Sequence, residues 1–122
     1  MAASIRTAIN EIGGVLATAH TLDSDGLANV TGNSAGSIYV IDIDNTNNTV
    51  AVYLKITDHA SNVGAGQTAD MMFRGTPGKV TSYVFEAGMP YAAGVSVWCT
   101  TAAAVASEAD PSSSVTVSIL AS

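Results

Sequence analysis

Between Val50 and Thr101 apolar residues recur at every second position, and glycine-rich turns cut the runs apart. Val50, Val52, Leu54 and Ile56 occupy one face of such a run; Val80, Ser82 and Val84, then Val95, Val97 and Cys99, repeat the pattern. A helix needs apolar residues spaced three and four apart, so alternation over this length predicts strands with one buried face. Composition agrees: valine (13) outnumbers leucine (5), and branching at Cβ suits a pleated strand better than a helix.

Turn chemistry divides the chain into about six or seven strands. Ser37–Asp44 and Thr49–Thr57 flank the cluster Asn45-Thr46-Asn47-Asn48 and read as a hairpin. A loop built on Gly64 and Gly66 leads to a short strand at Ala69–Arg74, and Gly75-Thr76-Pro77-Gly78 turns the chain into Val80–Phe85. Gly88-Met89-Pro90 reads as the next turn, before a strand at Val95–Thr101. A long loop follows over Ala102–Ser113, and Val115–Leu120 is the last strand. At 122 residues the chain holds one core. The expected architecture is all-β: a single β-sandwich, jelly-roll-like or Greek-key, over residues 37–122.

Residues 1–36 differ, being rich in Ala, Gly, Asn and Thr. They are expected to form an N-terminal arm and a first short element. Ile5, Ile9 and Ile12 have helical spacing, with Gly13-Gly14 as a stop; an extended arm followed by a short strand at Val15–Thr18 fits equally. Arg6 ahead of an apolar stretch imitates a secretion signal, but Glu11, Thr7 and Asn10 interrupt it, so the segment is expected to stay in place on a chain made in a cytoplasm.

Charge narrows the choice of partner. Only 11% of residues are charged, and four basic against ten acidic residues leave a net charge of −6. Nucleic-acid binding relies on a basic stripe that displaces counterions, and none is present. No apolar run reaches the roughly 18 residues of a membrane helix. So low a charge suits a surface partly covered by neighbours, or one that presents a Ser/Thr/Asn-rich face to water.

The candidate chemistry is thin. Asp42, Asp44, Asn45 and Asn47 have a spacing suggestive of calcium, without the glycine and terminal glutamate of an EF-hand loop, and read as a dressed turn. Asp23-Ser24-Asp25-Gly26 reads the same way. Asp58-His59 is an adjacent acid–imidazole pair with no G-x-S-x-G elbow to serve. His20 stands alone. Asn29-Val30-Thr31 and Asn47-Asn48-Thr49 match the glycosylation sequon by chance when no secretion signal is present. Cys99, the single cysteine, sits beside Trp98 in a valine-rich strand and reads as a small buried hydrophobe. No catalytic residue, metal site or cofactor is expected. Trp98 and Cys99 point to opposite faces, so an outward Trp98 would serve an interface or, with Tyr83 and Tyr91, a sugar platform.

Tyr53–Gly64 (YLKITD, five residues, G), Phe85–Val97 (FEAGMPYAAGVSV) and the closing V-x-V-x-I at Val115–Ile119 resemble, in that order, small β-sandwich structural proteins of tailed bacteriophages. The chain departs from that pattern at Val63-Gly64-Ala65-Gly66-Gln67, which lacks the proline, and at Leu120-Ala121-Ser122, which lacks the closing aromatic. The resemblance implies a virion component: a capsid decoration or cement protein that bridges major capsid subunits, as a homo-oligomer with a trimer favoured. The alternative is a tail or fibre module binding a host-surface glycan or receptor. Ile5, Ile9, Ile12, Val15, Leu16 and Trp98 are the expected interface residues.

Overall fold

The computed structural model describes residues 3–9, 14–61, 63–64, 67–104 and 109–122. Eight strands account for the regular structure: β1 (Ser4–Ile9), β2 (Val15–His20), β3 (Gly36–Asp44), β4 (Val52–Asp58), β5 (Met71–Gly75), β6 (Val80–Tyr91), β7 (Val95–Thr100) and β8 (Thr116–Ala121). They form two antiparallel sheets, a larger one ordered β1-β2-β8-β3-β6 and a smaller one ordered β5-β4-β7. Alternation sets the inner faces. Ala17, Ala19, Ile41, Ile43, Val117 and Ile119 from the larger sheet meet Val52, Leu54, Ile56, Val95, Val97 and Cys99 from the smaller in one core.

The wiring is that of a jelly roll. The connection from β2 to β3 runs along the free side of β7, exchanging both backbone hydrogen bonds between Leu27 and Val97 and adding Val30 N–H to Val95 O and Cys99 N–H to Asp23 O. With that segment as a fourth strand-like member, β2-β8-β3-β6 faces the segment, β7, β4 and β5, and β1 extends the first layer. Gly26 permits the close approach. Its φ of +73° lies in the left-handed region, and a Cβ there would collide with the Val97 carbonyl oxygen and the Val63 side chain.

Two local expectations are corrected, and the choice left open for residues 4–9 falls to the extended alternative. β3 and β4 are not a hairpin but lie in different sheets. Their apolar faces meet across the core, and Asn45 and Asn48 build the crossover: Asn45 Nδ2 donates to Val50 O, and Asn48 Nδ2 donates to Asn45 Oδ1 and to Ser113 O. Gly88-Met89-Pro90 is no turn, because β6 continues through it. Ile38 pairs with Met89 while Val40 pairs with Val84, so the register shift is absorbed as a bulge, with Gly88 at φ +79°. Pro90 is tolerated because β6 is an edge strand that needs no second ladder. Finally, Ser4–Ile9 is extended rather than helical. A short helix is marginal by itself, whereas β2 offers a complete antiparallel ladder from Ser4↔His20 to Ile9↔Val15.

β2 lies between β1 and β8, so residues 15–20 belong to the sandwich's own larger sheet, and residues 22–31 line β7.

Candidate interaction surface

The expected interface residues fall into three groups. Ile5 and Leu16 are exposed, at 43% and 42%, and Val15 is half-buried. Ile9 closes β1 in register with Val15, and Ile12 lies outside the described residues. Ile5 pairs with Ala19, a core residue, and so faces the core side of the sheet. It stays exposed there because β1 extends beyond the strands that the smaller layer faces. β1 is also an edge strand, and Arg6 is its one charged residue.

Trp98 is a correction: it is wholly buried. Every residue of β7 is buried, on both faces. Val95, Val97 and Cys99 face the core, and loops cover the other side. There Ser96 Oγ donates to His59 O and accepts from Asn29 N–H, Thr100 Oγ1 donates to Ala102 O, and Thr57 Oγ1 donates to Asp70 Oδ2. Lys55, paired with Trp98 across the strands, is buried in the same layer and donates from Nζ to Ala104 O at 2.6 Å. Burial pushes its ammonium below the ordinary lysine value. A recess of about 190 Å³ lies beside it, lined by Ala69, Asp70, Met71, Met72 and Ala103. The Trp98 indole N–H finds no partner among the described residues.

The aromatic platform does not assemble. Tyr91 is buried, its hydroxyl donating to Asn33 Oδ1 and Ser122 O. Tyr83 packs on Phe73 at 5.0 Å between ring centroids and donates to Arg74 O. The polar motifs are likewise structural. Asp58 is not a solvated loop residue, since its carboxylate accepts the backbone N–H groups of Ala92, Ala93 and Gly94. Partial burial pushes this carboxyl up, but those three amides and the adjacent His59 outweigh it and hold it below the usual range. Asp44 serves Thr46, and Asp110 accepts Ser24 N–H. Cys99 is buried, and loss of solvation pushes its thiol up to about 12. Among the described residues there is no cluster of three or more metal-ligating side chains and no helix long and apolar enough to cross a membrane.

One feature of the surface escapes a strand-by-strand reading. On the outer face of the larger sheet, Leu16 pairs with Leu120, Leu120 with Val40, and Val40 with Val84. Direct partners point to the same side, so four apolar side chains form a continuous row across β2, β8, β3 and β6. Leu16 and Val84 are exposed and Leu120 and Val40 half-buried; the exposed Tyr39, at the register shift, lies beside the row. The next row along the strands, Thr18, Ser118, Asp42 and Ser82, is polar throughout. Scattered surface hydrophobes are ordinary; these four are in register over four strands, two of them half-buried.

Comparison with protein-family models, curated proteins and solved structures finds no match for this chain.

Proposed function

We propose that this chain is a non-enzymatic structural component of a virus particle: a decoration or cement protein that sits on the capsid surface and bridges major capsid subunits, as a homo-oligomer with a trimer favoured. The observation that supports this reading most is the β1 edge. A jelly roll is complete without β1; the added strand becomes the new edge of the sheet, and Ile5 is exposed on the core-facing side. An element that lengthens a sheet while leaving apolar surface open suits a contact with a neighbouring subunit, by strand addition and by burial of Ile5 and Leu16. Repetition over a shell turns a modest contact into firm attachment. The burial of Tyr91 and Trp98 takes away the rings expected to form a platform in the alternative, a glycan-binding tail or fibre module.

The test is co-sedimentation of the purified protein with capsids that lack it. The full chain should saturate at a fixed copy number per particle. Removing residues 1–13 takes away β1 but leaves β2 paired to β8, so the sandwich should stay folded while occupancy falls at least tenfold. Unchanged occupancy of the shortened chain refutes the role given to β1, and no binding by the full chain refutes the cement reading.

A further inference from the structure

We infer that the recess beside Lys55, on the outer side of the smaller sheet, binds a small α-amino acid as its zwitterion, the ligand's carboxylate on the Lys55 ammonium and its ammonium on Asp70. The site is separate from the β1 edge, and its test needs no capsid.

Strand register brings the two charges together. Lys55 pairs with Met72 across β4 and β5, and Asp70 N–H donates to Ile56 O, which carries the pairing on to Asp70. Lys55 and Asp70 are thus diagonal neighbours on one face, and both line the recess with Met71, Met72, Ala69 and Ala103. Their hydrogen bonds go elsewhere. Lys55 Nζ donates to Ala104 O, next to the Ala103 wall, and Asp70 Oδ2 accepts from Thr57 Oγ1 and from Asp58 N–H. These are the hydrogen bonds that each side chain makes among the described residues, so the ammonium's other N–H groups and Asp70 Oδ1 are unspent. Lys55 is 1% exposed and Asp70 is exposed, which puts the cation at the floor and the carboxylate at the mouth. Burial already holds the ammonium below the ordinary lysine value, the mark of a charge whose lost hydration one carbonyl does not replace.

Charge of both signs selects the ligand. A plain carboxylate would satisfy Lys55 but meet Asp70 as a like charge. A plain amine would satisfy Asp70 and leave the buried ammonium as it is. A zwitterion answers both. Volume sets its size: about 190 Å³ falls below the roughly 300–1,000 Å³ of sites for drug-sized ligands, and suits an amino acid with a short side chain. The two thioethers and two alanine methyls give that side chain apolar walls, which disfavour a further charge on it.

The test is a titration of the purified chain, methyl-labelled at methionine, with L-alanine, followed by NMR. The Met71 and Met72 methyl signals should shift and saturate, while Met89, on β6 of the other sheet, should stay in place. Propionate and ethylamine, which are alanine without its amine and without its carboxylate, should bind at least tenfold more weakly. Lys55→Met and Asp70→Asn should each weaken alanine binding at least tenfold; the second keeps an oxygen to accept from Thr57 and Asp58. Lys79→Met, in the turn entering β6, should bind as the wild type does. No saturation by alanine up to about 50 mM overturns the inference. Propionate binding as tightly as alanine assigns a plain anion site and overturns the zwitterion, and ethylamine binding as tightly overturns the role of Lys55. Undiminished binding by Lys55→Met overturns that role too; if this variant does not fold, the comparison of the two analogues on the wild type decides alone.

Discussion

Asp58 ends β4 and holds the turn that delivers the chain from β6 into β7. Its two oxygens lie 3.0 and 2.9 Å from Ala92 N, and the first also lies 2.8 Å from Ala93 N and 3.2 Å from Gly94 N. A hydrogen bond to a charged group contributes about 1.5–3 kcal/mol when its partners are otherwise buried. Here the carboxylate is half-exposed and Ala92 and Ala93 are exposed, so water replaces most of what truncation removes; Gly94 alone is buried. Discounting for that screening, Asp58→Ala should cost about 2 kcal/mol and Asp58→Asn, which keeps an acceptor without the charge, about 1 kcal/mol. For a chain of this size 2 kcal/mol lowers the thermal midpoint by roughly 6–12 °C. The pH dependence supplies a second check. The folded pKa of Asp58 is depressed, so the unfolded chain takes up the proton first. The stabilisation is complete above the unfolded value of about 3.9 and is lost as pH falls through the lower folded value. Thermal unfolding of wild type and Asp58→Ala should therefore differ fully at pH 7 and converge as pH drops below about 4. A midpoint change under about 2 °C at pH 7, or a gap that holds constant into acid, would refute the assignment.

Gly26→Ala should destabilise by about 3 kcal/mol in urea unfolding, combining a left-handed φ with a collision against β7. Gly78→Ala, with φ +70° but open space around it, should cost only about 1 kcal/mol; equal costs would show that the approach of the 22–31 segment to β7 is not tight. Lys55→Met removes a buried ammonium that donates to the carbonyl of exposed Ala104, which water can serve instead. Stability at pH 7 should hold or rise by about 1 kcal/mol. Because the folded pKa of Lys55 is lowered, the wild type should gain stability as pH rises from that value towards the unfolded 10.4 or so, a slope the variant lacks; a loss above about 2 kcal/mol would mean that the Ala104 bond anchors the loop.

Period-two alternation made the strands legible because each strand presents one face to the core. Val52, Leu54 and Ile56 are buried as the pattern requires, and so are Val95, Val97 and Cys99, but Val50 is exposed and Val80, Ser82 and Val84 form the exposed face of β6, whose core side carries Tyr83 and Phe85. Pairing was less legible, since alternation says which side of a strand is apolar and nothing about its neighbour. Asn45-Thr46-Asn47-Asn48 is turn chemistry whether the chain doubles back in one sheet or crosses to the other; the choice fell to the facing of Ile41 and Ile43 against Val52 and Leu54 across the core. Gly88 was misread for a related reason: a glycine with positive φ serves a bulge as well as a turn, and continuation of the β3 ladder to Gly36↔Tyr91 decides for the bulge.

Trp98 shows where alternation reaches its limit. In a two-layer sandwich a residue opposite a core cysteine points to solvent, so Trp98 belonged on the surface by that rule. The smaller sheet, however, is covered on its outer side by the chain's own connections, which turns β7 into a strand buried on both faces. What betrays this is polar: Lys55, Ser96 and Thr100 share the outer layer with Trp98, each with a hydrogen bond to a loop backbone. The larger sheet has no such cover over Leu16 and Val84. Among the described residues, then, these loop contacts fall on the outer side of the smaller sheet, and alternation fails there because a further layer of chain replaces solvent.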